Sequence, residues 1–528
     1  MNANTITDTD ILSFCASRPK PAANTVSHPD AGRPMMRTDM GNGSRLAHRH
    51  GASLRYIHEF KKWIVFHRGR WLFDEDGAVM RLAKDTARSI FAEAARAPDL
   101  VEQKDLAQWA ATSQSLARAT AMIELAKSEP GIPIASCQLD RDPFLLGVEN
   151  GVVDLRTGQL RQARRDDYIT KLARVEFKEG AGCPTWEKFL GRIFSKNVSL
   201  IEFMQRALGY SLSGDTGEQC LFLAHGGGAN GKSTMLDAVR AILGDYASTS
   251  STDLLMTKQA GAATNDVARL RGARLVATIE TEDGRRMAEG LVKQLTGGDM
   301  IAARFLFAEF FEFKPAFKIW LAANHKPVIR GDDYAIWRRI RLIPFNVTIP
   351  PDERNKTLTA TLIAEAPGIL QWMIRGCLDW QRIGLMPPPE VLAATEGYKN
   401  EMDLLGQWIA ECCLIAPHAN VKGGALYANY KRWAQENGGY PLSNPKFAMK
   451  LVERGFRKET SGTVTYYGIG ILEGLEGLEG FSQPSPSAPR VHGGYGNCLQ
   501  PSKPSGKGSA TCPSCAGEGC QWCIGGRP

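Results

Sequence analysis

Residues Gly226, Gly227, Gly228, Ala229, Asn230, Gly231, Lys232 and Ser233 fill the pattern G-x-x-x-x-G-K-[ST] without a mismatch. Glycine serves there because successive backbone N–H groups must turn onto phosphate oxygens, where a side chain would block the approach. Lys232 then reaches the β and γ phosphates, and Ser233, with Thr234 beside it, offers a hydroxyl to Mg²⁺. The chemistry in view is capture of a nucleoside triphosphate with its magnesium. Downstream lie groups that could complete such a site: the acids Glu280 and Glu282, the amide of Asn324, and the guanidinium pair Arg338 and Arg339.

These groups need elements to place them. The apolar run 220–224 suits a buried strand feeding the loop, and 233–243 reads as a helix closed by Gly244. A second buried-type strand, 274–279, ends in Glu280-Thr281-Glu282-Asp283, which would put carboxylates where Mg²⁺ and the attacking water sit. Acids after a strand are also common at surfaces. A third strand, 317–323, ends in Asn324, which could orient that water or sense the γ-phosphate, or could simply form a turn. Arg338 and Arg339 follow the turn 330–333. They could steady transition-state charge from a neighbouring subunit, or form a solvated basic strand.

At 528 residues the chain has room for roughly three domains. Its 43% hydrophobic and 23% charged residues are those of a folding chain, and a net charge of +8 permits a nucleic-acid partner without proving one. No apolar run approaches a membrane span, and Asp8 and Asp10 interrupt the place where a signal peptide needs an apolar core. A cytoplasmic protein without a membrane partner is expected. Seven of the 12 cysteines are scattered over the first 413 residues, whereas Cys512, Cys515, Cys520 and Cys523 form two C-x-x-C knuckles. Four thiolates at that spacing could hold one Zn²⁺, with Gly517 and Gly519 permitting sharp turns; a reduced tail or a redox site is the alternative. His48, His50, His58 and His67 have no cysteine partners nearby and read as a basic face.

Composition divides the chain into a polar leader (1–35), a pre-core region (36–190), the core (191–385), a small module (400–471), a Ser/Pro/Gly-rich linker (472–511) and the cysteine tail (512–523). Short strands are expected around His67-Arg68-Gly69, with helices over 83–95 and 106–127. The prolines 387–389 suggest a joint between domains. In the module, helices over 406–413, 424–437 and 444–454 precede a β-like 463–467, an order resembling a winged helix.

The order and spacing of these motifs resembles the superfamily 3 helicases, and among them the phage and plasmid primase–helicase family, with a poxvirus-primase-like N-terminal region. The matching runs are Thr38-Asp39-Met40-Gly41-Asn42, Leu54-Arg55-Tyr56, 150–158, Gly209-Tyr210-Ser211-Leu212-Ser213-Gly214, the glycine loop, Glu280-Thr281-Glu282, 293–299, Asn324-His325-Lys326-Pro327 and Trp337-Arg338-Arg339. The resemblance implies an α/β fold: an AAA+-type P-loop core with a mainly helical N-terminal region and a winged-helix-like DNA-binding module. It implies ATP and Mg²⁺ as ligands, residues 226–234 as the nucleotide contacts, and Ser233 with Glu280 on the metal. Glu280 and Glu282 become the Walker B acids, although Thr281 separates two acids that are adjacent in many relatives. Asn324 becomes the sensor, and Arg339, or else Arg338, a finger reaching across a subunit boundary. A hairpin within 300–313 would project into a ring channel, where Arg304 would grip single-stranded DNA and Phe305, Phe307, Phe310 and Phe311 would stack on bases or fill a core.

The activity implied is that of a ring, six subunits, acting on single-stranded and forked DNA at a mobile element's fork in the bacterial nucleoid, with a separate primase or host replication proteins as partners. The leader is too short for a primase domain, so the helicase-only form is expected. An origin-binding initiator that uses ATP only for assembly is the rival, and a decayed prophage protein a third reading.

Overall fold

The computed structural model describes residues 35–257, 264–279, 284–304, 310–330, 334–437 and 439–472. The chain divides after Gly470 into two compact units, and the elements described belong to the first, the last strand running on to Ile471.

The N-terminal region begins with α1 (Asp39–His50), capped by Thr38, whose Oγ1 accepts from Gly41 N at 3.0 Å. An antiparallel meander follows, β1 (Leu54–Ile57), β2 (Lys62–His67) and β3 (Arg70–Phe73), then α2 (Ala78–Ala94), α3 (Leu100–Ser113) and α4 (Leu116–Ala126). The expected helix over 106–127 is two helices. Ser and Thr at 112, 113 and 115 offer the backbone other partners, and Ser115 caps α4 by accepting from Arg118 N. The break lets Ser113 accept from the buried Asn42 amide at 3.0 Å, while Trp109 Nε1 donates to Asn42 Oδ1 at 3.1 Å. The run 38–42 is therefore a packing motif. A second antiparallel sheet, β4 (Leu145–Val148), β5 (Gly151–Asp154) and β6 (Gln159–Arg161), makes the region mixed where a mainly helical one was expected.

The core continues through α5 (Pro184–Ile193), α6 (Val198–Tyr210), β7 (Leu221–His225), α7 (Lys232–Leu243), β8 (Ala247–Ser251), α8 (Thr264–Ala268), β9 (Leu275–Ile279), α9 (Glu289–Gly297), β10 (Ile301–Ala303), β11 (Phe311–Phe313), β12 (Lys318–Ala323), α10 (Tyr334–Trp337), β13 (Ile340–Pro344), α11 (Leu358–Ala364), α12 (Ala366–Ile383) and α13 (Pro389–Met402). Five of its strands form one parallel sheet in the order β13-β7-β12-β9-β8. Parallel sheets need cover on both faces, and β12 is buried at all six residues. Alternation sends Phe222, Ala224, Trp320 and Ile343 into one core with residues of α6, α7 and α12, and Leu221, Leu223, Ile319 and Leu342 into the other.

Buried cations fix the amino ends of two strands. Arg274 donates to the Leu212 and Leu145 carbonyls, each at 2.6 Å. Lys318 Nζ donates to the carbonyls of Ser213, Asp215 (3.1 Å) and Ala316 (3.4 Å). Within the run 209–214, a Cβ on Gly209 would stand 2.2 Å from Cys377 N on α12, and Ser211 Oγ accepts from Trp320 Nε1 at 3.0 Å. That run is a structural joint under the sheet.

The prolines 387–389 do not end the packed body. Pro389 opens α13, where a missing N–H costs nothing. Thr395 Oγ1 of that helix accepts from Leu342 N of β13 at 3.1 Å, and Tyr398 is wholly buried in the second core. The module then holds α14 (Leu404–Cys412), β14 (Cys413–Lys422), α15 (Gly423–Glu436), α16 (Asn444–Glu453), β15 (Arg457–Ser461) and β16 (Thr463–Ile471), with sheet order β14-β16-β15. The strand β14 was not expected, because most of its residues are exposed and its apolar alternation is faint. Trp408, Tyr430 and Phe447 form the module's aromatic centre. No helix among the described residues is long and apolar enough to cross a membrane.

Candidate nucleotide-binding site

β7 runs into the glycine loop, and α7 leaves it at Lys232. The glycines do different jobs. A Cβ on Gly226 would lie 2.2 Å from the Phe345 carbonyl oxygen, and Gly231 adopts φ +86° with a would-be Cβ 2.7 Å from Ile193. Both are demanded by packing. Gly227 and Gly228 have nothing within 4 Å of an added Cβ, so their bareness faces open space where a ligand can approach. Ala229 takes φ +57°, held by Ile349 N donating to its carbonyl at 2.8 Å.

Asn230, expected among the nucleotide contacts, is only 4% exposed. Its amide donates to the Gly227 and Phe345 carbonyls, the latter at 3.3 Å, so it clamps the loop to the end of β13. Ser233 is exposed and Thr234 half-buried in the first turn of α7, whose N–H groups lack intrahelical partners and form the positive end of the helix.

Lys232 is 5% exposed, and its Nζ donates to Gly226 O at 2.6 Å, Gly227 O at 3.3 Å and Asn324 Oδ1 at 3.1 Å. Burial brings its pKa down to about 8. Asn324 follows β12, the strand beside β7, and is itself exposed. Thus two residues 92 positions apart meet at the carboxyl ends of adjacent strands, where ligands of open α/β sheets bind. Below them His225 is held under its ordinary pKa, by burial first and then by the charges of Lys326 and Lys232.

Glu280 and Glu282 lie outside the described residues; β9 ends at Ile279, paired with Ala322. β10 and β11 form the hairpin's base, with Ile301 opposite Phe313. Arg304 is exposed, with its Cζ 4.8 Å from the centroid of Phe310, itself 62% exposed. Phe313 is core and Phe311 half-buried, whereas Phe305 and Phe307 lie outside the described residues. The cysteines 512–523 do too. Among the described residues no cluster of His, Cys, Asp and Glu could hold a metal, and His48, His58 and His67 are exposed.

The arginine pair divides against expectation. Arg339, the favoured finger, is 6% exposed; its Nε donates to Thr296 Oγ1 at 3.1 Å and its NH1 to Ala335 O at 2.7 Å. It braces α10 against α9. Arg338 is exposed, with NH2 on Gln219 Oε1 at 3.0 Å. Sequence reasoning also gave no role to Lys326, which pairs with Glu401 of α13 at 2.6 Å. The only signal was its place in the run 324–327.

Residues 43–195 match the family described as D5 N terminal like, and residues 224–339 match a family of unknown function (DUF5906). A protein of Acanthamoeba polyphaga mimivirus, provisionally named a helicase, is 29% identical over 343 residues, 60% of this chain and 35% of the relative. A provisionally named helicase of Frog virus 3 is 24% identical over 418 residues, 63% and 43% of the two chains. A protein of African swine fever virus, provisionally named a primase, is 26% identical over 330 residues, 57% and 34%. The chain therefore spans less than half the length of these relatives. A solved structure of the NrS-1 C terminal region (305–718) aligns over 82% of this chain and 100% of its own at 9% identity, with a TM-score of 0.43, too loose a likeness to carry an argument. The two family matches and the viral relatives together make the chain similar to the D5-like primase–helicase proteins.

Proposed function

We propose that this chain is an ATP-driven DNA helicase of the superfamily 3, AAA+ type, acting as a ring of six on single-stranded and forked DNA. The observation that carries the proposal is Lys232, held between the glycine loop and Asn324 at the carboxyl end of a parallel sheet. The empty space over Gly227 and Gly228, the positive end of α7 and a lysine whose present partners are replaceable carbonyls all suit a triphosphate. The exposed Ser233 hydroxyl, with Glu280 and Glu282, would hold Mg²⁺, which supplies charge neutralisation between the β and γ phosphates when bound. Lys232 draws γ-phosphate charge, and Asn324, released by the lysine, orients the attacking water.

Arg338 is the finger. It precedes Ile340, which pairs with Leu221 at the start of β7, so it stands about 20 Å from the loop that follows β7 in its own chain. A guanidinium so placed can serve only a neighbour's loop. Arg304, with Phe310, suits sequence-blind contact with a DNA strand. The initiator reading has its own support: every residue of β15 is exposed, Arg457 and Lys458 among them, and Lys446 is exposed on α16, a surface suited to duplex phosphates.

Purified protein should hydrolyse ATP with stimulation by single-stranded DNA and displace a strand from forked duplexes. Lys232→Ala should abolish both. ATP turnover without displacement across varied forks and salt would favour the initiator.

A further inference from the structure

Asn324 opens a segment, 324–330, that is gripped on its far side by the helix leading into the C-terminal module. Lys326 Nζ lies 2.6 and 2.7 Å from the two carboxylate oxygens of Glu401, in the last turn of α13. One turn earlier on the same helix the buried Tyr398 donates its hydroxyl to the Pro327 carbonyl and meets Trp337 edge-on, with ring centroids 5.2 Å apart. Arg330 sits 5.1 Å from the ring of Tyr440, in the loop between α15 and α16. The root of the module is fixed in turn: Asp403 caps α14 through Gly406 N at 2.9 Å and pairs with Arg454, and Gln407 Nε2 donates to the Asn400 and Glu401 carbonyls.

Segment 324–330 is thus fastened to α13 and the module at three points, to residues 285–289 through Val328 and Arg330, and to the phosphate loop by the bond between Lys232 and Asn324. A triphosphate that draws Lys232 away frees that one point. The others remain, and of these only the bonds to α13 and the module reach outside the core's own strands and loops.

We infer that Glu401 is a positioning residue: acting through Lys326, it holds Asn324 in register with the loop and makes the C-terminal module the frame against which the nucleotide site is aligned. The inference rests on the nucleotide reading of the loop. The pair is not a stability element, since Glu401 is half-exposed and such pairs contribute little to folding. Its work is geometric. Glu401 acts through Lys326, so its loss should slow the chemical step and spare binding.

The test uses the full chain with ATP, with and without single-stranded DNA, comparing wild type, Glu401→Gln, Lys326→Met, the double variant, and the charge reversal Lys326→Glu with Glu401→Lys. Each single change should lower kcat about fivefold and flatten the DNA stimulation, with KM for ATP and the melting temperature nearly unmoved. The double variant should be no worse than either single one, and the reversal should recover at least half of kcat. Unchanged kcat in the single variants, additive losses in the double one, or losses that track the melting temperature would each overturn the inference. Wild-type protein that neither binds nor turns over ATP would instead sink the nucleotide reading.

Discussion

Two buried lysines stand at opposite ends of the same sheet, and both spend their ammonium groups on backbone carbonyls. Lys318, at the amino end of β12, is enclosed by Ser213, Asp215 and Ala316 and lies over the Tyr210 ring. Lys232, past the carboxyl end of β7, has a similar carbonyl set with one addition and one gap. The addition is Asn324; the gap is the open space over Gly227 and Gly228. Burial depresses both, Lys318 to about 7 and Lys232 to about 8. Burial and a lowered pKa therefore do not by themselves tell the lysine proposed for phosphate from a structural one. What separates the two is whether something else could take the carbonyls' place.

The sharpest way to break this contrast is to remove each lysine. Lys232→Ala should cost at least about 10³-fold in ATP turnover while leaving denaturant stability within about 1 kcal/mol. Lys318→Met should do the reverse, lowering stability by about 3 kcal/mol because three carbonyls lose a charged donor. If Lys318→Met stops turnover without loosening the fold, the two ends do not differ as argued. The arginines repeat the contrast on a smaller scale. Arg338→Ala should cut turnover about 10²-fold at unchanged stability, whereas Arg339→Ala should destabilise by about 2 kcal/mol. Mixing Arg338→Ala with Lys232→Ala subunits should return some turnover at sites that pair intact halves, and none would count against a shared site.

The loop glycines offer a third pair. Gly227→Ala should leave the melting temperature unmoved and weaken nucleotide binding about tenfold, while Gly226→Ala should disturb the loop even without nucleotide. Titration calorimetry and thermal melts separate them. The smallest expected effect is protonic. With Lys232 near 8 when empty, a bound triphosphate favours its charged form, so above about pH 8 nucleotide binding should take up a fraction of a proton and weaken as pH rises. Calorimetry in buffers of different ionisation enthalpy reads that fraction, and an absence of uptake would remove Lys232 from the phosphates.

How much of this was legible in the sequence depended on range. The loop, the strands at 220–224, 274–279 and 317–323 and the helix after the loop are local patterns, and each falls within a residue or so of its element. Asn324 was legible as a strand-end amide, but only the parallel pairing of β7 with β12 puts it on Lys232. The difference in burial between Arg338 and Arg339 was not legible, since the two are neighbours of one type in the sequence. Asn230 looked like a ligand contact because motifs do not record which carbonyl lies behind them. The single helix expected over 106–127 failed at the serines that break it, and the strand β14 escaped because its pairing with β16, not its own composition, makes it a strand.

The strand β13 has a consequence beyond its place at the sheet's edge. It starts just after Arg338 and ends just before the carbonyl of Phe345, which receives the Asn230 amide of the chain's own loop. On the proposed reading, one hydrogen-bonded strand thus joins the clamp on the phosphate loop to the arginine offered to a neighbouring subunit. If the chain works as the proposed ring, a shift of the loop as phosphate leaves would be passed along that strand to the neighbour's site.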